Sequence, residues 1–151
     1  MKTPARRRVG LLLASLCLPL FAQAAETQPT HEFSLDNGLK VIVREDHRAP
    51  VVVSQLWYRI GSSYETPGLT GLSHALEHMM FKGSRKLGPG EASRVLRDLG
   101  AEENAFTTDD YTAYYQVLAR DRLPVALEME ADRMAHLSLP ADQFKIGRAS
   151  C

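Results

Sequence analysis

Cysteine is nearly absent from this chain of 151 residues, which holds only Cys17 and Cys151. Cys17 lies in a leader-like segment whose removal leaves one thiol, so no internal disulfide is expected and a disulfide scaffold is excluded. Long apolar runs are missing too. The longest extends from Val9 to Phe21, short of the roughly 20 residues that cross a bilayer as a helix. The body also has no run of Lys or Arg, and its charge balance is mildly acidic. Of 18 basic residues, Lys2, Arg6, Arg7 and Arg8 belong to the leader, leaving 18 − 4 = 14 against 18 acidic ones, a net of −4. Nucleic acid is therefore excluded as the main partner, because phosphate binding needs a clustered positive footprint. No internal repeat or low-complexity segment is visible.

What is present begins with export. Three consecutive arginines, Arg6 to Arg8, precede the apolar stretch, and Ala22-Gln23-Ala24 offers small residues where a signal peptidase reads. This pattern predicts a signal peptide over residues 1–24, a periplasmic or secreted destination, and no stable membrane span after cleavage. The remaining 151 − 24 = 127 residues, in a chain 44% hydrophobic and 24% charged, suit one domain with a real core or part of one.

Residues 31 to 43 alternate with period two around Asp36-Asn37-Gly38, with Phe33, Leu35, Leu39, Val41 and Val43 apolar. Asn-Gly between alternating runs predicts a hairpin whose two central residues take positive φ. Val51 to Ile60 reads as a third strand, buried on both faces near its start. Leu72, Ala75, Leu76, Met79 and Met80 recur at helical spacing, and that helix is expected to stop near Gly83. Glu91 to Leu99 predicts a second helix closed by Gly100. The Thr- and Tyr-rich segments 101–107 and 111–118 predict a second hairpin, with Tyr111, Tyr114 and Tyr115 as sheet packing. Arg122 to His136 predicts a helix with Pro124 in its first turn and a solvated face of Glu128, Glu130 and Asp132. Strands and helices in this order imply an α+β class, an antiparallel-rich sheet with helices packed on one face. Ser138 to Phe144 then opens a further helix that Gly147 interrupts, as if the chain ended inside its domain.

The first helix carries His74-Ala75-Leu76-Glu77-His78. Residues i and i+4 lie one turn apart on the same side of an α-helix, so two imidazoles converge on one small ion while Glu77 projects beside it. Neutral imidazole suits zinc, and zinc lowers the pKa of bound water to about 7, where a neighbouring carboxylate can take its proton. Those residue types fit amide hydrolysis. Cobalt or manganese also suits such ligands. The periodicity equally fits a plain amphipathic helix with Leu72, Ala75, Leu76 and Met79 inward and His74, Glu77 and His78 in water.

The stretch Gly71 to Ser84 resembles the active-site helix of the pitrilysin/insulinase family, inverted zinc metallopeptidases with H-x-x-E-H. Asn104-Ala105-Phe106-Thr107, with Asp110-Tyr111-Thr112 and Tyr114-Tyr115, is similar to that family's N-A-x-T strand segment, and Glu130 to Met134 resembles its next helix. The resemblance covers Phe33 to Phe144. It implies a zinc metalloendopeptidase acting on peptides or unfolded polypeptides, with one Zn2+ held by His74 and His78 and Glu77 as general base. Substrate would add as a strand beside Asn104, Ala105 and Phe106. The resemblance also implies a third ligand, a glutamate roughly 75 to 80 residues beyond His78, where only 151 − 78 = 73 residues follow. An incomplete N-terminal part of the catalytic domain, occupying 25–151 and of low activity alone, is thus expected. Its implied partner is a second related peptidase half or subunit. The alternative is a non-catalytic structural or assisting subunit of a peptidase pair, against which the intact motif speaks.

Overall fold

The computed structural model describes residues 29–144; the leader-like segment 1–24 and the tail 145–151 lie outside the described residues. The chain divides into two compact units, Met1–Asp46 and His47–Cys151.

The first unit contains the N-terminal hairpin, β1 (Thr30–Ser34) antiparallel to β2 (Lys40–Arg44), with Glu32 opposite Ile42 and Phe33 opposite Val41. Its turn differs from the expected one. No residue other than glycine has positive φ among the described residues, so Asn37 stays on the ordinary side while Gly38 sits at φ 84°. The Gly38 N–H donates to the Leu35 carbonyl and the Leu35 N–H to the Leu39 carbonyl, both at 2.9 Å. This is a three-residue connection with glycine at its left-handed position. Asn37 acts through its side chain, whose Oδ1 accepts the Leu39 N–H at 3.1 Å.

The second unit is built on a three-stranded antiparallel sheet in the order β3 (Val51–Tyr58), β5 (Thr112–Ala119), β4 (Glu102–Thr107). Leu56 faces Tyr114 across one ladder, and Ala105 faces Tyr114 across the other. Three helices complete the unit: α1 (Leu72–Met79), α2 (Glu91–Asp98) and α3 (Leu123–His136). Leu96 of α2, Leu118 of β5 and Ala126 of α3 are buried in one cluster, joined by Val52, Ala101 and Met129. Alternation along β5 assigns Tyr114, Gln116 and Leu118 to this helix-covered face. Helices on one face of an antiparallel sheet make the α+β layer that the chain's patterning implies. Among the described residues, no helix is long and apolar enough to cross a membrane.

The opposite face of β3 is open, which corrects the expected double burial of its start. Val51 and Val53 remain about half exposed, at 51% and 53%, and Trp57 at 51%. β3 lies at a sheet edge, and its β-branched residues alternate between the helix layer and the open face. On that open face Trp57 meets Tyr111, with ring centroids 4.8 Å apart, and Phe106, at 6.2 Å. Tyr114 is buried on the other face, edge-on to Tyr58, and burial raises its hydroxyl pKa, keeping it protonated. α1 is shorter than its spacing suggests. After Met79 the chain tightens, with Phe81 and Lys82 donating to carbonyls three residues back, and Gly83 follows at φ 125°. One helical turn at 141–144 closes with the Phe144 N–H on the Pro140 carbonyl.

The acidic face expected on α3 is largely buried. Glu128 reaches Lys86 at the surface, but Glu130 and Asp132 are 7% and 5% exposed. Glu130 accepts hydrogen bonds from the Gln116 amide on β5 and from Arg133, whose guanidinium lies over the rings of Phe81 and Tyr114, 5.4 and 5.0 Å from their centroids. A periodicity argument marks these residues as polar without knowing that a cation and an amide wait inside. Asp132 accepts the Lys86 N–H at 3.0 Å and lies 3.4 Å from the His136 imidazole.

Replacing Arg133 by alanine leaves the Glu130 charge buried without its cation, so a loss of about 3–5 kcal/mol in urea unfolding is expected. The Ser84 hydroxyl, and then the Lys86 N–H, hold the Asp132 carboxyl below the ordinary range. Because its native value is depressed, its stabilisation is complete above about pH 4 and drains away as pH falls toward and through the lowered value. Asp132→Asn should flatten the acid limb of a stability–pH profile while changing its slope above pH 5 little.

Candidate metal centre

The N-terminus of α1 is held by a residue outside the helix. Its N-cap, Gly71, has no side chain, and the first-turn amides are met instead by Glu65. Glu65 Oε2 accepts the Gly71 N–H at 2.8 Å and Oε1 the Ser73 N–H at 2.7 Å. These amides, Ser73 first, hold the Glu65 carboxyl below its usual range. A carboxylate at the positive end of a helix is favourable in itself. Spacing arguments look for a cap immediately before the helix and so overlook one six residues upstream.

The segment carrying Glu65 is clamped to the β4–β5 turn. The Ser62 and Ser63 amides donate to the carbonyls of Thr108 and Asp109 at 3.1 and 2.9 Å, and the Ser62 hydroxyl donates to Asp109 Oδ1 at 2.6 Å. The backbones come so close at Gly61 that a Cβ there would lie 2.2 Å from the Thr108 carbonyl oxygen. Glycine is required at this point for contact distance, its φ of −163° being ordinary extended backbone.

From this seat α1 presents its motif to β4. The Nε2 atoms of His74 and His78 lie 3.1 Å apart. His74, Glu77 and His78 each offer a ligand atom, all within 4.8 Å of one another. Two nitrogens bound tetrahedrally at zinc's usual bond lengths stand about 3.3 Å apart, so the imidazoles fit one such ion. Glu77 is not on a solvated face. It is 9% exposed, and the Thr107 hydroxyl of β4 donates to its Oε2 at 2.5 Å. Leu72 and Leu76, by contrast, are 52% and 39% exposed. The plain amphipathic arrangement holds for the buried Ala75 and Met79 and the exposed His74, but fails at the two leucines and at Glu77.

Ser62, Glu65, His74, Glu77, Ala105 and Phe106 help to line an open cleft of about 440 Å3. Two of the three expected strand residues, Ala105 and Phe106, thus line the same cleft as His74 and Glu77. Asn104 is exposed on the same edge strand, outside the cleft lining, where its Oδ1 accepts the Ala105 N–H at 2.8 Å. Thr107 lies within N-A-x-T, a pattern that by itself gives its hydroxyl no task, and the task of Asp109 depends on a loop 47 residues away, which leaves no local trace.

Gly61→Ala should lower stability by about 1–3 kcal/mol through forced displacement of the turn. A zinc titration of the variant should show weaker binding, because the loop that carries Glu65 moves with Gly61.

A family model described as Insulinase (Peptidase family M16) matches residues 40–149. The Helicobacter pylori zinc protease PqqE is 35% identical over 144 residues, covering 92% of this chain and 32% of its own. Human cytochrome b-c1 complex subunit 1 is 35% identical over 148 residues, 96% of this chain and 28% of that protein, and bovine mitochondrial-processing peptidase subunit beta is 36% identical over 105 residues. A solved protease from Helicobacter pylori superposes with a TM-score of 0.78 at 31% identity, over 82% of this chain and 30% of that one. The chain spans about a third or less of the length of these relatives. With the match running through α1, the β4–β5 hairpin and α3 alike, the chain belongs to the insulinase family of peptidases, family M16.

Proposed function

We propose that this chain is the metal-binding and proton-transferring part of an exported zinc metalloendopeptidase that cleaves peptides or unfolded polypeptides. The observation that carries the reading is the convergence of His74 Nε2 and His78 Nε2 at 3.1 Å beside a Glu77 carboxylate fixed by a neighbouring strand. His74 and His78 would hold one zinc ion. When bound, zinc acidifies a water molecule and polarises a peptide carbonyl.

Glu77 would take a proton from the attacking water at a carboxylate oxygen as the water oxygen bonds to the carbonyl carbon, and would return it to the amide nitrogen as the C–N bond breaks, so protons would balance over the cycle. The Thr112 hydroxyl donates to the Ile60 carbonyl at 3.0 Å, and its oxygen lies 3.2 Å from that of Thr107.

β4 is an edge strand of the three-stranded sheet, and its Ala105 and Phe106 border the cleft, so an extended substrate adding to this edge would pass His74 and Glu77. Asn104 at the same edge would give up its contact with the Ala105 N–H to receive it. Two imidazoles are one protein ligand fewer than catalytic zinc sites usually use. A glutamate roughly 75 to 80 residues beyond His78, as the family resemblance implies, would complete the set, and the chain alone would then turn over peptides poorly. The relatives named as subunits of a processing peptidase and of the cytochrome b-c1 complex support a paired arrangement. The latter also keeps open a structural or assisting role. The arginine-preceded apolar segment with Ala22-Gln23-Ala24 supports export to the periplasm or beyond.

A competitive chelator titration tests the ligand assignment: zinc should bind the chain weakly, and His78→Ala should weaken it by a further factor of about 10 or more. Undiminished binding in that variant would remove the assignment. Glu77→Gln should keep zinc affinity while peptide hydrolysis by the assembled protein falls by a factor of about 100 or more. A structural subunit would show no such loss.

A further inference from the structure

Glutamate has one of the more mobile side chains, and fixing it carries a large rotamer cost. Glu77 is nonetheless tied at a single oxygen, to a residue with no role in the reading above. Thr107 ends β4, and Thr112 begins β5 directly opposite. Thr112 is 3% exposed, and its hydroxyl donates to the Ile60 carbonyl. Thr107 Oγ1 is thus held between Thr112 Oγ1, at 3.2 Å, and Glu77 Oε2, at 2.5 Å. Both threonines are β-branched and stiff about χ1, so the hydroxyl that meets Glu77 is carried on a rigid ladder pair. The same hairpin is clamped at its turn to the loop that caps α1. Helix and hydroxyl are therefore positioned by one body.

We infer that Thr107 is a positioning residue for Glu77: its hydroxyl pins Oε2, so that Oε1 is the oxygen presented to the cleft. This rests on the peptidase reading for its purpose but not for its test. A hydroxyl donates to the carboxylate oxygen from a short, stiff side chain, which a methyl of the same shape cannot do.

The experiment uses the full chain with glutamate selectively labelled, reading the Glu77 side-chain rotamers from three-bond couplings by NMR, with zinc affinity from chelator competition. The wild-type chain should show one dominant rotamer at each of χ1 and χ2. Thr107→Val, of the same shape without the hydroxyl, should give averaged couplings, and Thr107→Ser should restore the single set. Zinc affinity should stay within about twofold in all three, in contrast to the tenfold or greater loss that follows removal of a group supporting a ligand. If Thr107→Val does not fold, Thr107→Ala carries the same expectation. Unchanged Glu77 couplings in the variant without a hydroxyl would overturn the inference. So would a parallel collapse of zinc affinity, which would make Thr107 a general support of α1. Either result leaves the peptidase reading standing, since that reading falls only if His78→Ala leaves zinc binding intact or Glu77→Gln leaves hydrolysis intact.

Discussion

The Glu77 carboxylate meets the Thr107 hydroxyl at 2.5 Å with only 9% of the residue exposed, and the rest of the site depends on that seating of α1 against β4. A carboxylate removed from water is costly unless its oxygens find donors. With the donor on a strand end, the helix has a preferred rotation about its axis, and that rotation brings His74 and Glu77 into the cleft lining, with His78 Nε2 3.1 Å from His74 Nε2. The leucines of α1 are left at the surface as a consequence. Ala75 and Met79 are buried along with Ser73 and Glu77, so the helix packs a mixed face and not its leucines.

Two further contacts hold this arrangement. Glu65 closes the first turn of α1 from a loop whose backbone touches the β4–β5 turn at Gly61. On the other side, Tyr114 of β5 packs against Tyr58 and Phe81, and the Arg133 guanidinium stacks over Phe81 and Tyr114 while answering Glu130. The segment leaving α1 is thus fixed at both ends. These are chiefly polar and aromatic contacts in a unit whose buried aliphatic cluster is small, so their geometry matters more here than area alone.

The same economy explains where reading the sequence misleads. Glu130 and Asp132 fall on what looks like a solvated stripe of α3, because amphipathic periodicity separates apolar from polar and says nothing about which polar groups have partners inside. Val51 and Val53 read as buried because they are β-branched, but the sheet has helices on one face and β3 lies at its edge. Asn37 reads as a left-handed residue because Asn-Gly favours that turn, whereas a three-residue connection needs the left-handed conformation at Gly38 alone. In each case the local preference is real, and a choice made elsewhere in the chain overrides it.

The elements, their order, the α+β class and the placement of His74, Glu77 and His78 on one helical turn were determined by sequence, since side-chain periodicity and the geometry of i and i+4 are local properties. The family, too, is written in those residues. Only the tertiary structure decided that Glu77 is buried while Leu72 is not, that a carboxylate at position 65 caps a helix beginning at 72, and that Thr107 meets the proposed base. Those outcomes depend on two backbones touching across 47 residues of chain, at Gly61 and at the Asp109 turn. Contacts at that separation leave no periodic trace in a single sequence.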